Sequence, residues 1–325
     1  MAVYKNVLEM IGNTPILQLS RLNTGKCTLF LKLENQNPGG SIKDRTGLNM
    51  IEQAELRGVL RPGQLIVEAT AGNTGLWLAL ACRMKGYRLL LVIPDKMSQE
   101  KINHLNALGV ETVITRSDVG KGHPEYYQDM AQRIAQERDG YFINQFENPD
   151  NPDAHYRTTA PEIWKQLDHD VDAIVVGVGS SGTLTGISKY FKEVSPKTEM
   201  ILADPKGSVL TDYVNLKRLG AQEGSWFVEG IGEDFVPKIA DFSLVKKAYA
   251  VTDEESFTAA RLLLLEEGIL AGSSTGTLLS AALRYCLEQT EPKRVVTIAC
   301  DSGNKYLSKM FNDQWLKEKN LKLSI

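Results

Sequence analysis

Short apolar runs ending in glycine- and hydroxyl-rich turns alternate with helical stretches along nearly the whole chain. Residues 28–33, 64–69, 87–93, 110–115, 141–145, 173–178, 199–203, 246–251 and 294–299 read as strands. Helical patterns follow the first of these to about Gly58, the second to about Lys85, and then cover 98–109, 124–138, 158–167, 184–194 and 253–267, with Ser98 as a cap. Residues 148–151 hold turn signals and read as a crossing between domains. Parallel strands need a crossover, and a helix is the usual one, so this alternation predicts an α/β fold with helix-covered parallel sheets. A chain of 325 residues accommodates one large or two ordinary domains.

Bulk properties exclude several function classes. The net charge of −3 gives no electrostatic case for nucleic acid or an anionic membrane. The longest apolar runs are too short to span a bilayer, and the first nine residues lack a secretory core. Cys27, Cys82, Cys286 and Cys300 are scattered without a Cys-x-x-Cys pair, which predicts neither a zinc site nor a disulfide framework. A reducing, cytoplasmic compartment is the expectation.

The stretch Asn37-Pro38-Gly39-Gly40-Ser41-Ile42-Lys43-Asp44-Arg45 ends the first strand and starts a helix. Ser41 is the expected N-cap, with Asp44 completing an imperfect capping box. Lys43 then falls in the first turn, where the positive end of the helix dipole disfavours a cation. That field lowers an amine's pKa, which suits a lysine that condenses with an aldehyde. A solvated surface lysine is the plain alternative.

Three more loops are unusual for the strand ends at which α/β sheets bind ligands. Gly177-Val178-Gly179-Ser180-Ser181-Gly182 matches a G-x-G-x-x-G phosphate loop, with Asp204 near the distance expected for a dinucleotide ribose. It fits a nicotinamide or flavin enzyme as well as any other phosphate ligand. Gly272-Ser273-Ser274-Thr275-Gly276 matches the G-x-S-x-G elbow of serine hydrolases. That fold needs a histidine after the serine, and His104, His123, His155 and His169 all precede Ser274, so the hydrolase reading fails. Ser274 as a helix cap stays open. Thr70-Ala71-Gly72-Asn73-Thr74-Gly75 offers small residues and donors at a helix start, which suits a carboxylate, or forms an ordinary polar turn.

These four loops, in this order, resemble the fold-type II pyridoxal phosphate (PLP) enzymes of the cysteine synthase/cystathionine β-synthase family, from Ile11-Gly12-Asn13-Thr14-Pro15 to Asp301-Ser302-Gly303. The resemblance implies two parallel-sheet α/β domains, like the tryptophan synthase β-subunit, with PLP in the cleft. The expected domains are 1–10 with 36–147, whose part at about 88–138 moves, and 11–35 with 148–325. By the resemblance Lys43 joins the cofactor's aldehyde and shuttles the α-proton. Asn73 bonds the ring oxygen, and Gly179, Ser180, Ser181, Gly182 and Thr183 hold the phosphate. Ser274 faces the ring nitrogen. Thr70, Ala71, Gly72 and Thr74, with Gln145, cradle the substrate carboxylate, and Gly230 and Glu233 lie on the substrate side.

Several stretches are similar to cystathionine β-synthases: Asn37-Pro38-Gly39-Gly40-Ser41, Asn151-Pro152-Asp153-Ala154-His155-Tyr156, Asp204-Pro205-Lys206-Gly207-Ser208 and Glu229-Gly230-Ile231-Gly232-Glu233-Asp234-Phe235-Val236-Pro237. Glu68-Ala69-Thr70-Ala71-Gly72-Asn73 followed by Ser98-Gln99-Glu100-Lys101-Ile102-Asn103 is similar to bacterial ones. Ala71 stands where serine is common, and Glu233 where the animal and yeast enzymes have tyrosine. The resemblance does not reach the haem-binding extension or the regulatory domains of the animal enzyme, so their regulation is not part of the expectation. The implied activity is β-replacement on serine or O-acetylserine with homocysteine, giving cystathionine. Sulfide or an amine as nucleophile, a catalytically silent PLP protein and a dinucleotide dehydrogenase are the rivals. A homodimer is implied, without metal, nucleic acid or membrane.

Overall fold

The computed structural model describes residues 3–70, 72–95, 99–116, 118–119, 122–219 and 224–324. Strand β1 (Ile16–Leu19) pairs antiparallel with β2 (Thr28–Lys32). Then come α1 (Lys43–Leu56), β3 (Leu65–Ala69), α2 (Asn73–Lys85), β4 (Arg88–Pro94), α3 (Gln99–Ala107), β5 (Glu111–Thr115), α4 (Tyr127–Glu137) and β6 (Tyr141–Phe142). A helical run follows: α5 (Asp150–Ala154), a π turn (His155–Thr159) and α6 (Ala160–Gln166). The remainder is β7 (Ala173–Gly177), α7 (Gly182–Val194), β8 (Glu199–Pro205), α8 (Leu210–Leu216), β9 (Val245–Val251), α9 (Asp253–Glu267), α10 (Ser273–Leu287), β10 (Arg294–Ile298) and α11 (Asp313–Glu318).

Among the described residues the strands form two sheets, ordered β1-β2-β10-β7-β8-β9 and β5-β4-β3-β6. Every pairing except β1 with β2 is parallel. The α/β expectation therefore holds. Central strands are buried on both faces, as helix-covered parallel sheets require: Ala173 to Val176 and Met200 to Ala203 lose almost all solvent contact. Local signals fix element ends. Thr252 and Glu255 form a reciprocal capping box on α9, and left-handed Gly268 (φ +72°) ends it.

Three local expectations need correction. The helix expected from 158 starts at Asp150, because Pro149 and Pro152 sit in or before a first turn, where a missing N–H costs little. The strand expected over 141–145 stops at Phe142, and Asn144 turns left-handed (φ +50°) just beyond it. Ser41 does not cap α1: Ile42 precedes the helix in helical geometry, and the Ser41 hydroxyl donates to Asp44 Oδ1 (3.2 Å). Asp44 instead accepts the Gly39 N–H (2.5 Å). The expected cap at Ser98 lies outside the described residues.

Candidate active site

Lys43 is the first residue of α1, as the sequence implied, and is partly buried. Desolvation lowers its pKa below the ordinary lysine range, against the opposing pull of negative charge at Asp301 and Glu233. The loop before it is pinned to the segment after β10. Ile42 N donates to Cys300 O (2.9 Å), and Ser302 N donates to Gly40 O (3.1 Å).

Asp301 joins three of the four loops. Its backbone bridges Ser41 and accepts from Gly272 N (3.0 Å). Its Oδ2 accepts from Asn73 Nδ2 and from the Tyr306 hydroxyl, both at 2.8 Å. Lys305 Nζ donates to Asn73 Oδ1 (2.7 Å), so the Asn73 amide is held at both ends. A Cβ at Gly272 would run into the Asp301 carboxylate, which explains the glycine there. Only the region of Asp301 was named in the sequence, and Lys305 and Tyr306 carried no signal. Their importance comes from long-range packing.

From Asn73 the contacts run on to the phosphate-type loop. Thr74 Oγ1 donates to Gln145 Oε1 (2.9 Å), and Asn151 Nδ2 donates to both Gln145 O (2.8 Å) and Ser180 Oγ (2.9 Å). Thr70 is buried, and its Oγ1 accepts from Gly72 N (3.3 Å). Ala71 lies outside the described residues. Asn151 was expected as part of a turn and of a stretch similar to the family, without a role of its own, yet it ties two loops together. Its side chain occupies the space a Cβ on Gly182 would need.

The loop after β7 has a backbone that an anion could approach. Ser181 adopts φ +73° ahead of α7, which opens with Gly182 and Thr183. Gly179 lies against the 230–233 segment, where its Cβ would fall 2.5 Å from Gly230 O and 3.8 Å from Glu233 Oε1. Free N–H groups at a helix start and a side-chain-free approach suit a phosphate. Gly230 is exposed, Glu233 partly buried. Asp204 does not serve a dinucleotide ribose: it is fully buried, and its Oδ2 accepts from Thr211 N and Oγ1 (both 2.9 Å).

Ser274 is buried near the start of α10. It makes no helix cap, since Gly272 occupies that position, and its hydroxyl meets the Cys300 thiol instead. Burial pushes that thiol up to about 12, so it is protonated. This loop does not follow a strand, contrary to the expectation: α9 precedes it, and only Ala271 bridges Ser302.

A pyridoxal-phosphate dependent enzyme family model matches residues 7–301. The chain belongs to this family. Its cofactor is therefore PLP. Among curated relatives, cystathionine beta-synthase of Oryctolagus cuniculus is 42% identical over 98% of this chain and 58% of its own length. The chain thus spans little more than half of that relative. Cysteine synthase 1 of Neurospora crassa is 40% identical over 98% of this chain and 86% of its own. The crystal structure of an O-ureido-L-serine synthase superposes with a TM-score of 0.88 at 30% identity, covering 97% of this chain and all of that one.

The residues present fit the cofactor. A glycine-lined loop suited to an anion, a desolvated amine, a fixed amide and a buried hydroxyl near a helix start are linked through Asp301, Cys300 and Asn151. Among the described residues no helix is long and apolar enough to cross a membrane.

Proposed function

We propose that this chain catalyses β-replacement on serine or O-acetylserine with homocysteine, giving cystathionine and water or acetate. The observation that carries the reading is the convergence of Lys43, Asn73 and Ser274 through Asp301 and Cys300, with the loop after β7 tied in through Gln145 and Asn151. The relatives' names, cystathionine beta-synthase and cysteine synthase, support the same chemistry.

The bound cofactor supplies an aldehyde and an electron-accepting ring that stabilises negative charge at an amino acid's α-carbon. Gly179 to Thr183 would hold its phosphate, Asn73 its ring oxygen, and Ser274 would stand at its ring nitrogen. A hydroxyl there, unlike a carboxylate, does not favour a protonated ring, which suits loss of a β-substituent. Lys43 anchors the aldehyde carbon, then takes and returns the α-proton. Its lowered pKa lets the amine be neutral for that step. The Thr70–Thr74 loop, Ala71 and Gly72 included, holds the substrate carboxylate together with Gln145. Gly230 shapes the wall beside Glu233, whose carboxylate takes the ammonium of the incoming thiol amino acid.

Cysteine synthesis with sulfide is the second reading, favoured by the likeness to Cysteine synthase 1. Purified enzyme given serine or O-acetylserine, each with homocysteine and with sulfide, separates the two. Cystathionine from either donor is the expected product; cysteine alone would move the assignment, and neither product would refute both.

We further propose two domains, 1–10 with 36–147 and 11–35 with 148–325. Support comes from β1 and β2, which leave the early chain to join the sheet of β7 to β10. The segment 88–138 closes over bound substrate, and the enzyme is a cytoplasmic homodimer. These last readings follow the family resemblance, with the four free thiols in keeping with a reducing compartment.

A further inference from the structure

Behind the loop after β7 lies a buried chain of polar side chains that the proposed chemistry does not use. His155 is fully buried in the π turn. Its Nδ1 stands 2.9 Å from Thr159 Oγ1, and its Nε2 stands 3.3 Å from Thr183 Oγ1 at the start of α7. The wide turn, in which Ala160 N–H bonds the His155 carbonyl five residues back, brings His155 and Thr159 together. Gly186, one turn on from Thr183, permits the approach. A Cβ there would run into the Pro152 carbonyl and lie 2.8 Å from His155 Cβ.

Burial, with the positive charges of Lys43 and Arg45, holds His155 well below the usual histidine range, so the ring is neutral. A neutral imidazole has one N–H and one lone pair, which leaves two arrangements. In the first, Nδ1–H donates to Thr159, and Thr183 gives its proton to Nε2. The Thr183 lone pairs are then all that remain for an anion in the loop. In the second, Thr159 donates to Nδ1 and Nε2–H donates to Thr183, whose own proton is free to reach the anion. A phosphate only accepts, so the second arrangement is the one a phosphate selects.

We infer that His155 is a positioning residue: through Nε2–H it fixes the Thr183 hydroxyl so that this group donates to the cofactor phosphate. The inference rests on the PLP seat proposed above.

The test uses holoenzyme carrying ¹⁵N-labelled histidine. Two-bond proton–nitrogen correlations should show His155 with a protonated Nε2 and a lone-pair Nδ1; the opposite tautomer, or a doubly protonated ring, overturns the inference. PLP affinity of the apoenzyme gives the second readout. His155→Leu and Thr183→Val should each weaken it about tenfold, the loss of one hydrogen bond to a charged group. The double substitution should weaken it no further, because both act through one hydroxyl, and additive losses overturn the inference. A wrong tautomer with PLP bound removes this inference alone, whereas a protein that binds no PLP removes the seat as well.

Discussion

Glu233 has a charge that reaches the Lys43 amine and the partly buried Tyr126 and Tyr127. If its carboxylate takes the ammonium of homocysteine, Glu233→Ala should raise KM for homocysteine about tenfold while kcat barely moves, since binding common to ground and transition states is lost. KM for sulfide, which has no ammonium, should not change; an unaltered homocysteine KM would remove the role. Glu68, on β3 just before the Thr70 loop, tests the electrostatics of the same region. It is buried, accepts from Ala69 N (3.0 Å) and Gln145 N (3.3 Å), and desolvation pushes it from 4.5 up to about 8. Between those values the folded chain keeps a proton that the unfolded chain gives up. Stability therefore falls as pH rises through the window, by about 1.4 kcal/mol per unit at most. Glu68→Gln removes that contribution, so the slope of the urea midpoint between pH 5.5 and 7.5 should be flatter than in the parent. Parallel slopes would contradict it. Neither carboxylate's environment could be read from neighbours in sequence, because desolvation is set by residues far along the chain.

At the scale of elements, α1 is anchored two residues beyond Lys43. Arg45 Nε and Nη2 reach Glu34 (2.7 and 2.8 Å), while Nη1 and Nη2 reach Glu162 on α6 (both 2.7 Å). Lys32 Nζ on β2 joins Glu162 (2.8 Å), and the Thr14 hydroxyl donates to Glu34 (2.6 Å). Burial pushes Glu34 up, but Arg45 outweighs it and holds the carboxyl below its usual range. Removing one partner from such a buried pair leaves an uncompensated charge, so Arg45→Met should cost about 3–5 kcal/mol in urea unfolding. A cost under about 1 kcal/mol would show that the network does not anchor the helix. The Gly12-Asn13-Thr14 turn was legible as part of a family pattern, and its purpose appears here. Gly12, at φ +82°, would place a Cβ 2.9 Å from Arg45 Nη1. Elements with strong local codes were legible to within a residue or two, as in α9 with its capping box. The Asp150 helix start, β1, α8 and α11 were not, because short elements with mixed local signals take their form from what they pack against.

Across the whole molecule, the alternation of apolar runs and helices gave the α/β class directly, and the order of four loops gave the family. What did not show was how the loops meet. Asp301, Asn151 and His155 connect segments more than twenty residues apart, and although each lay in a stretch similar to the family, none was given a role. The Asn73–Asp301 and Ser180–Asn151 contacts place one loop against the next, so this arrangement of loops depends on both sheets being folded. All of it is organised around a single amine at the start of α1. Borohydride reduction of the holoenzyme, followed by digestion and mass spectrometry, tests that placement most directly. A pyridoxyl adduct on Lys43 is the expected result; an adduct on any other lysine, or none, would contradict it.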